Sequence, residues 1–473
     1  MATIRSDAAA GGAAAPDEAA VAQFESLFRG KIIRPRDRAY DEARKLYNAM
    51  IDKRPRLIAR CADVTDVITA VNFARENDIL LAVRGGGHNG AGLGSCDGGL
   101  VIDLSALKGI RVDPKYQTVR VEAGCCWREV DRVTHSFGLA VPCGVISTTG
   151  VAGLTLGGGH GYLTRKYGLT IDNLLEADVV LADGTFVTTG PDDHEDLFWA
   201  LRGGGGNFGV VTSFLFKAHP VHTVYAGVTL WPLEQARAVL KSYQDFIKQA
   251  PRDLYGFFGF LTVPPGPPFP EPFQFKKMCG AVWCYTGPLG QAGKALEPLW
   301  ESVRPAFEFL GPMPFPKLQT LFDGLYPPGH QWYWKGDFVR ELTDAAIELH
   351  LEYGAKLPTP QSTMHLYPID GAVRDVGAAE TAWNCRDATW SMVIVGVDPD
   401  PANRDKITQW ARDYWEALHP FSAGAAYVNF MMEEGQDRVR ATYRDNYDRL
   451  VAVKTRYDAT NLFRVNQNIK PKT

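Results

Sequence analysis

A run of three glycines directly after a hydrophobic stretch constrains this chain more than any other feature. Residues 79–83 predict a strand, and the segment Arg84–Gly92 follows it without a break. Glycine lets the backbone turn sharply and approach a ligand closely, so that successive N–H groups can hold phosphate oxygens. The glycines end at His88, whose imidazole can act as a nucleophile, a base or a ligand. The pattern indicates a tightly held nucleotide cofactor, against the plainer interpretation of a glycine-rich surface loop.

Length and composition exclude several classes of protein. The 473 residues suffice for two or three domains with a large buried core. A net charge of −4 gives no electrostatic footprint for nucleic acid or anionic lipid. No apolar stretch reaches the roughly 18 residues that a membrane span requires. We therefore expect a cytoplasmic protein that acts on a small molecule, without nucleic-acid or membrane partners.

The N-terminal segment and the cysteines add two further expectations. Residues 1–24 are rich in Ala and Gly at their start and lack the apolar core of a secretory signal, which predicts a disordered tail. The eight cysteines include no CxxC pair, so they predict neither a zinc site nor a disulfide framework. His88 and His160 lack the spacing of metal ligands, and we expect no metal.

Hydrophobic periodicity divides the chain into two parts. Up to about residue 217, short strands and helices alternate, which indicates an α+β unit. Asp183-Gly184 between two apolar runs predicts a hairpin, because glycine adopts positive φ readily. The second part is rich in aromatic residues and predicts an antiparallel sheet with amphipathic helices. Its predicted elements are strands at 363–367 and 390–397 and helices at 234–249, 407–418 and 437–457.

Two further glycine clusters lie at residues 148–161 and 201–212. The later cluster has a formal GxGxxG spacing at Gly204, Gly206 and Gly209. It follows a predicted helix and precedes a predicted strand, which is the reverse of the order in a Rossmann unit. We therefore reject a Rossmann fold. Three separated loops that expose backbone favour an extended dinucleotide threaded between them.

In their order and spacing, these segments resemble flavin-linked oxidases of the vanillyl-alcohol oxidase superfamily, in its berberine-bridge-enzyme-like branch. The resemblance rests on residues 84–92, 144–161, 196–212, 381–390, 427–430 and 457–469. It implies an α+β fold with a two-lobed PCMH-type FAD-binding domain and an inserted substrate domain, built on a large antiparallel sheet backed by helices. The implied bounds are 25–217 for the first part of the FAD-binding domain, 218–417 for the substrate domain and 418–473 for the C-terminal segment that completes the FAD-binding domain.

The resemblance makes FAD the cofactor and His88 its covalent attachment, with a free histidine beside noncovalent FAD as the alternative. Many relatives have a second bond from a cysteine at the position of Ile146. Because Cys143 lies three residues earlier, we expect a single bond, through His88. The expected cofactor-binding residues are Arg84, Gly85, Gly86, Gly87, His88, Asn89, Gly90, Gly144, Thr148, Thr149, Gly150, Gly153, Gly157, His160, Gly161, Asn207, Gly209, Val210, Val211, Gln467 and Asn468.

The proton acceptor is the part of the site that the sequence determines least. Relatives carry a tyrosine at the end of a Tyr-x-Asn-Tyr strand, where this chain has Phe430. Strand alternation would place Tyr427 on the face opposite Phe430, so Tyr427 is not an automatic replacement. The remaining candidates are Tyr333, His365 and Tyr367. Thr363 shares a strand face with the last two by parity.

The expected reaction follows from the resemblance and from the aromatic residues. Phe430 and Val428 are expected to line a pocket for a flat, apolar or phenolic substrate. A small aromatic or alicyclic alcohol, phenol or amine would give a hydride to the flavin, and dioxygen would reoxidise the flavin to yield hydrogen peroxide. A dehydrogenase with another electron acceptor and a flavin-binding protein without turnover are the two alternatives. A monomer and a homodimer are both open.

Overall fold

The structure, a computed structural model, describes residues 18–472. Its strands are β1 (Lys31–Ile33), β2 (Leu57–Arg60), β3 (Leu81–Arg84), β4 (Leu100–Asp103), β5 (Ile110–Asp113), β6 (Thr118–Glu122), β7 (Leu139–Ala140), β8 (Leu174–Val180), β9 (Phe186–Thr189), β10 (Val210–Lys217), β11 (His219–Pro220), β12 (Thr223–Pro232), β13 (Leu254–Thr262), β14 (Lys277–Tyr285), β15 (Phe307–Pro314), β16 (Gln331–Val339), β17 (Thr363–Pro368) and β18 (Trp390–Asp398).

The α-helices lie between these strands and after them. They are α1 (Glu18–Leu27), α2 (Tyr40–Ala43), α3 (Val64–Glu76), α4 (Trp127–His135), α5 (Val151–Leu156), α6 (Thr164–Tyr167), α7 (Glu195–Leu201), α8 (Ala236–Gln249), α9 (Ala292–Ser302), α10 (Phe315–Gln319), α11 (Asp344–Ala355), α12 (Arg404–Leu418), α13 (Gln436–Tyr443) and α14 (Tyr447–Tyr457). Within residues 18–472, no helix combines the length and the apolar character needed to cross a membrane.

The first part of the chain forms two main sheets. One has the order β1-β2-β4-β3, with β4 parallel to both of its neighbours, and β3 runs into the glycine run as predicted. The other is antiparallel, with the order β5-β6-β10-β8-β9. The predicted hairpin joins β8 to β9, and Gly184 at its turn has a φ of 85°. An L-residue adopts this conformation at a steric cost, which glycine avoids.

The second part forms a seven-stranded antiparallel sheet with the order β15-β12-β14-β13-β17-β18-β16. Helices α8, α9, α11 and α12 contribute to the apolar core on one of its faces. In α12, the side chains of Ile407, Trp410, Ala411, Tyr414 and Leu418 are buried, a helical spacing that turns one stripe of the helix toward the sheet. A second cluster with Tyr255, Phe257, Trp332 and Tyr367 covers the other face. The expected α+β architecture, with a large antiparallel sheet backed by helices, is confirmed.

The structure corrects two predicted elements near the C-terminus. The single helix expected over 437–457 is two helices, α13 and α14, because Arg444 between them has a φ of 47°. Residues 427–430 are not a strand. The Phe430 N–H donates to the Tyr427 carbonyl at 2.8 Å and closes a short 3-10 turn.

The predicted tail over residues 1–24 is wrong for its last seven residues. Residues 18–24 belong to α1, and Phe24 stacks on Phe73 of α3 with ring centroids 4.3 Å apart. This apolar contact holds the helix against the first sheet unit. Residues 1–17 lie outside the described part of the chain.

A buried ion pair joins α6 to the segment that follows β17 and gives a stability prediction. The Nε of Arg165 lies 2.7 Å from Asp370 Oδ1, and the side chains are 3% and 6% exposed. Arg165→Ala should lower the free energy of unfolding by about 3–5 kcal/mol, because Asp370 would stay buried without a countercharge. Denaturant titration measures this change.

The matched control removes an exposed ion pair. Lys356 pairs with Glu352 on the surface of α11, with side chains 64% and 52% exposed. Lys356→Ala should change the free energy of unfolding by less than about 0.5 kcal/mol. Similar losses in the two variants would contradict the structural role assigned to Arg165.

Candidate functional site

The three glycine clusters meet at one cavity of about 320 Å³. The first two clusters touch backbone to backbone, since a Cβ added to Gly86 would lie 2.6 Å from the Cα of Gly150. Gly87 has a φ of 69°, which turns the chain along the cavity wall. Gly205 and Gly206 bring the third cluster to the same wall. Exposed backbone therefore surrounds this end of the cavity, as a cradle for phosphate oxygens requires.

Most of the predicted cofactor-binding residues line this cavity. They are Arg84, Gly85, Gly86, Gly87, His88, Asn89, Gly144, Thr149, Gly150, Gly153, His160, Asn207, Gly209, Val211 and Gln467. The structure places six others outside the lining: Gly90, Thr148, Gly157, Gly161, Val210 and Asn468.

Packing or strand alternation explains the position of four of the six residues outside the lining. At Gly90, Gly157 and Gly161, an added Cβ would overlap neighbouring atoms, so these glycines allow close packing rather than ligand contact. Val210 alternates with Val211 along β10 and points the other way.

His88 has a fixed orientation in the cavity wall. Its ring stacks on Tyr47 with centroids 3.9 Å apart, and its Nε2 lies 3.1 Å from Thr148 Oγ1. Thr148 does not line the cavity itself but holds the His88 ring in place through this hydrogen bond. Burial lowers the pKa of the His88 imidazole to about 4, so the ring is neutral at pH 7. With Nε2 engaged, Nδ1 is the ring nitrogen left for a ligand.

Cys143 is turned away from the cavity. Gln319 donates its Nε2 hydrogen to the Cys143 sulfur at 2.8 Å, and burial raises the pKa of the thiol. Ile146, at the position where relatives have a cysteine, does line the cavity. The described structure therefore offers no thiolate at this wall.

Arg84 is the one charged side chain among the described residues that line the cavity. Its Nη2 pairs with Asp103 Oδ2 at 3.0 Å, whereas its Nη1 is buried without a hydrogen-bond partner. A buried N–H group without a partner calls for a ligand atom. Because Arg84 opens the glycine run, its free N–H fits an anionic group such as a phosphate of a dinucleotide.

The open face of the large sheet forms the other end of the cavity. Trp332 and Trp334 of β16 line it, together with Tyr326 and the predicted pocket residues Val428 and Phe430. The two tryptophans were not among the predicted site residues, although their alternation with Tyr333 along a strand could have indicated them. This end of the cavity is aromatic and uncharged.

The three candidate proton acceptors fall on two different faces of the sheet. His365 and Tyr367 line the cavity together with Thr363, as parity predicted. Tyr333 lies on the opposite face, where its hydroxyl accepts a hydrogen bond from Arg412 Nε of α12 at 2.9 Å. The structure therefore removes Tyr333 from the candidate set, because alternation on β16 turns Trp332 and Trp334 to the cavity instead.

A hydrogen-bonded row of side chains follows the cavity face of β17. The Thr363 Oγ1 lies 3.0 Å from His365 Nε2, and His365 Nδ1 lies 2.6 Å from the Tyr367 hydroxyl. Burial lowers the pKa of His365 to about 3 and raises that of Tyr367. The row is therefore neutral at pH 7 and can take up a proton only when a partner drives the transfer.

The contact between the glycine loops predicts a defect in cofactor binding. Gly86→Ala should lower the free energy of unfolding by about 1–3 kcal/mol, because the added methyl overlaps the Gly150 backbone and separates the two loops. We expect the variant to be purified with much less flavin per chain and with a lower melting temperature. Gly293→Ala in α9 is the control, since an added Cβ there meets no atom within 4 Å. Normal flavin content in Gly86→Ala would contradict the cradle.

Comparison with known proteins adds independent evidence. Two family models match the chain: an FAD binding domain at residues 55–190 and a berberine and berberine-like domain at 426–470. An FAD-linked oxidoreductase of Dictyostelium discoideum is 32% identical over 456 residues, which cover 95% of this chain and 97% of the relative. The (R)-6-hydroxynicotine oxidase of Paenarthrobacter nicotinovorans is 28% identical over 460 residues, with 94% and 97% covered.

Solved structures agree with this assignment. The 6-hydroxy-D-nicotine oxidase from Arthrobacter nicotinovorans superposes with a TM-score of 0.84 at 27% identity, over 94% of this chain and 98% of that one. The BBE-like 1 protein of Physcomitrella patens has the same fold, with a TM-score of 0.85 at 24% identity, over 96% and 99% of the two chains. The aromatic end of the cavity, lined by Trp332, Trp334 and Tyr326, is called the aromatic chamber below. Because the family models and the relatives agree with the glycine cradle, the chain belongs to the berberine-bridge-enzyme-like family of FAD-linked oxidoreductases.

Proposed function

We propose that this protein oxidises a small, neutral aromatic alcohol or phenol, with FAD attached covalently to His88 and dioxygen as the final electron acceptor. The observation that carries the proposal is the union of a glycine cradle and an uncharged aromatic chamber in one cavity. For an alcohol, the overall reaction converts one CH–OH group and one dioxygen into a carbonyl group and hydrogen peroxide.

The residues of the cradle fit FAD. The unpartnered Nη1 of Arg84 and the exposed backbone of the glycine clusters suit the pyrophosphate, and Asn207 and Gln467 line the same cavity. Bound FAD supplies the hydride acceptor. The protein's own part is to hold the substrate, to exclude water with aromatic side chains and to take up a proton.

The properties of His88 support a covalent attachment. Its ring is neutral, held by Tyr47 and Thr148, and has one nitrogen available. In the attachment, His88 would lose its N–H hydrogen and form a C–N bond to the cofactor, which would lose one C–H hydrogen. Dioxygen would take up the two electrons and two protons as hydrogen peroxide. Cys143 is buried with a raised thiol pKa, which supports a single bond.

The lining of the chamber supports a neutral aromatic substrate. A protonated amine would enter without a carboxylate among the described lining residues, which is costly in a buried site. Trp332, Trp334 and Tyr326 offer flat apolar surfaces. The name of the 28% identical relative, a 6-hydroxynicotine oxidase, denotes a substrate with a hydroxylated aromatic ring and a basic amine, so it supports only the aromatic part of the proposal.

Two side chains of the row on β17 are suited to take up the proton. The substrate hydroxyl must lose its proton when its carbon loses a hydride. Phe430 has no group that could accept it, whereas Tyr367 and His365 lie in the cavity 2.6 Å apart. We assign the proton uptake to this pair.

The attachment is tested by denaturing the purified protein in acid. Wild type should keep its yellow colour and flavin fluorescence with the chain, and His88→Ala should release all of its flavin. His222→Ala, at an exposed histidine, is the control and should keep the flavin. Release of flavin from wild type would refute the covalent bond, and absence of flavin would refute the cofactor.

The low pKa of His88 gives a pH prediction for the attachment reaction. An imidazole must be unprotonated to attack, and the pKa of His88 is lowered from 6.5 to about 4. The rate at which FAD attaches to the apoprotein should therefore stay constant as the pH falls below 6.5. It should decrease only as the pH approaches 4. Circular dichroism at each pH confirms that the chain is folded. Half-loss near pH 6.5 would contradict the lowered pKa of the His88 imidazole.

Oxidase activity is tested by peroxide formation in air. A set of benzylic and allylic aromatic alcohols should bleach the flavin, and readmitted air should restore the colour with one peroxide per alcohol. Glucose is the control substrate and should leave the flavin oxidised. Bleaching that only an artificial electron acceptor reverses would instead support a dehydrogenase.

A further inference from the structure

We propose that the cavity presents two tyrosine hydroxyls of opposite hydrogen-bonding polarity, Tyr367 as an acceptor and Tyr427 as a donor. This pair would select a neutral substrate that carries both the hydroxyl to be oxidised and a second group with a lone pair, such as a carbonyl oxygen. The inference rests on the proposed function and specifies its substrate class.

The polarity of Tyr367 follows from its neighbours along β17. The Thr363 hydroxyl lies 2.7 Å from the Phe260 carbonyl. Because a carbonyl oxygen can only accept, Thr363 donates its single hydroxyl hydrogen to Phe260. Thr363 must then accept from His365 Nε2, which therefore carries the ring hydrogen. The other ring nitrogen, Nδ1, has only a lone pair, so Tyr367 donates to it. The Tyr367 oxygen is left with lone pairs for a ligand.

The polarity of Tyr427 is the reverse. The Gly159 N–H and the Asn429 Nδ2 lie 2.9 and 2.8 Å from its hydroxyl oxygen, and both groups can only donate. The second amide hydrogen of Asn429 reaches the Leu154 carbonyl at 3.1 Å, which fixes the amide orientation. Both lone pairs of the Tyr427 oxygen are thus occupied. In residues 18–472 no acceptor is described for its O–H, which is left for a ligand.

The two tyrosines belong to one binding site. Both line the cavity, and both rings contact His160, with centroids 5.3 Å away for Tyr367 and 4.6 Å for Tyr427. The 3-10 turn also brings Phe430 against both, at 6.0 and 4.9 Å. A ligand that lacks one of the two complementary groups would leave a buried polar group unpaired, which is the strongest known basis for rejecting an analogue.

The acceptor side of the pair gives the proton a defined route. The substrate O–H bond breaks as a new O–H bond forms at Tyr367, while the original Tyr367 proton moves to His365 Nδ1. The C–H electron pair would leave as a hydride, for which bound FAD would be the acceptor. The negative charge that the hydride adds there would balance the positive charge on His365, and the substrate would become a carbonyl compound. Thr363 is a positioning residue, because it fixes the tautomer that keeps Nδ1 free.

The first test reads the His365 tautomer directly, without a ligand. In the holoprotein labelled with ¹⁵N-histidine, NMR should show a hydrogen on Nε2 of His365, with the signal assigned from its loss in His365→Asn. Thr363→Val should introduce the Nδ1–H form, and Thr363→Ser should restore the wild-type signal. A hydrogen on Nδ1 in the wild type would overturn the polarity of Tyr367.

The second test measures binding of three probes to the oxidised holoprotein at a mildly acidic pH, where the probes are neutral. The probe 4-hydroxybenzaldehyde has both groups, 4-methoxybenzaldehyde lacks the donor and 4-ethylphenol lacks the carbonyl. Wild type should bind the first about tenfold more tightly than either of the others, as the loss of one hydrogen bond implies. Tyr367→Phe should abolish the preference over the methoxy compound, and Tyr427→Phe the preference over the ethyl compound.

A second pair of variants keeps the fold and every backbone contact. Replacing a tyrosine by 3,5-difluorotyrosine makes its hydroxyl a stronger donor and a weaker acceptor. At position 427 this should tighten binding of 4-hydroxybenzaldehyde, and at position 367 it should weaken it. Tyr162→Phe is the control, because that buried hydroxyl has no partner and does not line the cavity.

The outcomes separate this inference from the proposed function. Equal affinities for the three probes, absence of binding to wild type, or shifts of the same sign at the two positions would overturn the inference. Attachment of flavin and peroxide formation are read independently. If alcohols are oxidised without the expected probe selectivity, only the inference fails; if the selectivity is present without oxidation, only the proposed function fails.

Discussion

Gly86 and Gly150 meet backbone to backbone, and a Cβ built on either would lie within 2.7 Å of the other's Cα. This contact brings the end of a parallel strand, β3, to the loop that precedes α5, and the cavity opens where these two segments meet. The orientation of His88 depends on the same contact, because Thr148 belongs to the second loop. No residue with a side chain could occupy either position without separating the loops.

The large sheet completes the site because its two faces differ in chemistry. Four helices cover one face with apolar side chains, whereas the other turns tryptophans, tyrosines and one histidine toward the cradle. Among the described residues that line the cavity, Arg84 is the one with a charged side chain, and it lies at the glycine-rich end. Because Arg84 is paired with Asp103, the cavity has a polar end with one unpartnered N–H group and an aromatic end without charge.

Residue patterns along the sequence predicted correctly which side chains share a face of a strand. Thr363, His365 and Tyr367 share one face of β17 as expected, because the strand is paired on both sides and cannot slip. The prediction of a strand at Tyr427–Phe430 was wrong, because one hydrogen bond closes a 3-10 turn there and strand parity does not apply. The break at Arg444 was invisible, since arginine gives no signal for positive φ. The proposed polarity of the two tyrosine hydroxyls depends in part on Phe260 and Gly159, which lie far along the chain, and no sequence pattern reveals these two partners.

The buried arginine of α6 has a consequence for how such chains can be recombined. Besides Asp370, Arg165 donates to the carbonyl groups of Ile247, Ala250, Pro251 and Leu254, all of them in the inserted domain. The insertion is therefore no freely exchangeable module. A chimera that takes its substrate domain from a relative must also bring a matching set of acceptors in both segments, or leave a guanidinium buried without partners. Altered specificity is accordingly easier to reach by substitutions within the chamber than by exchange of the whole domain.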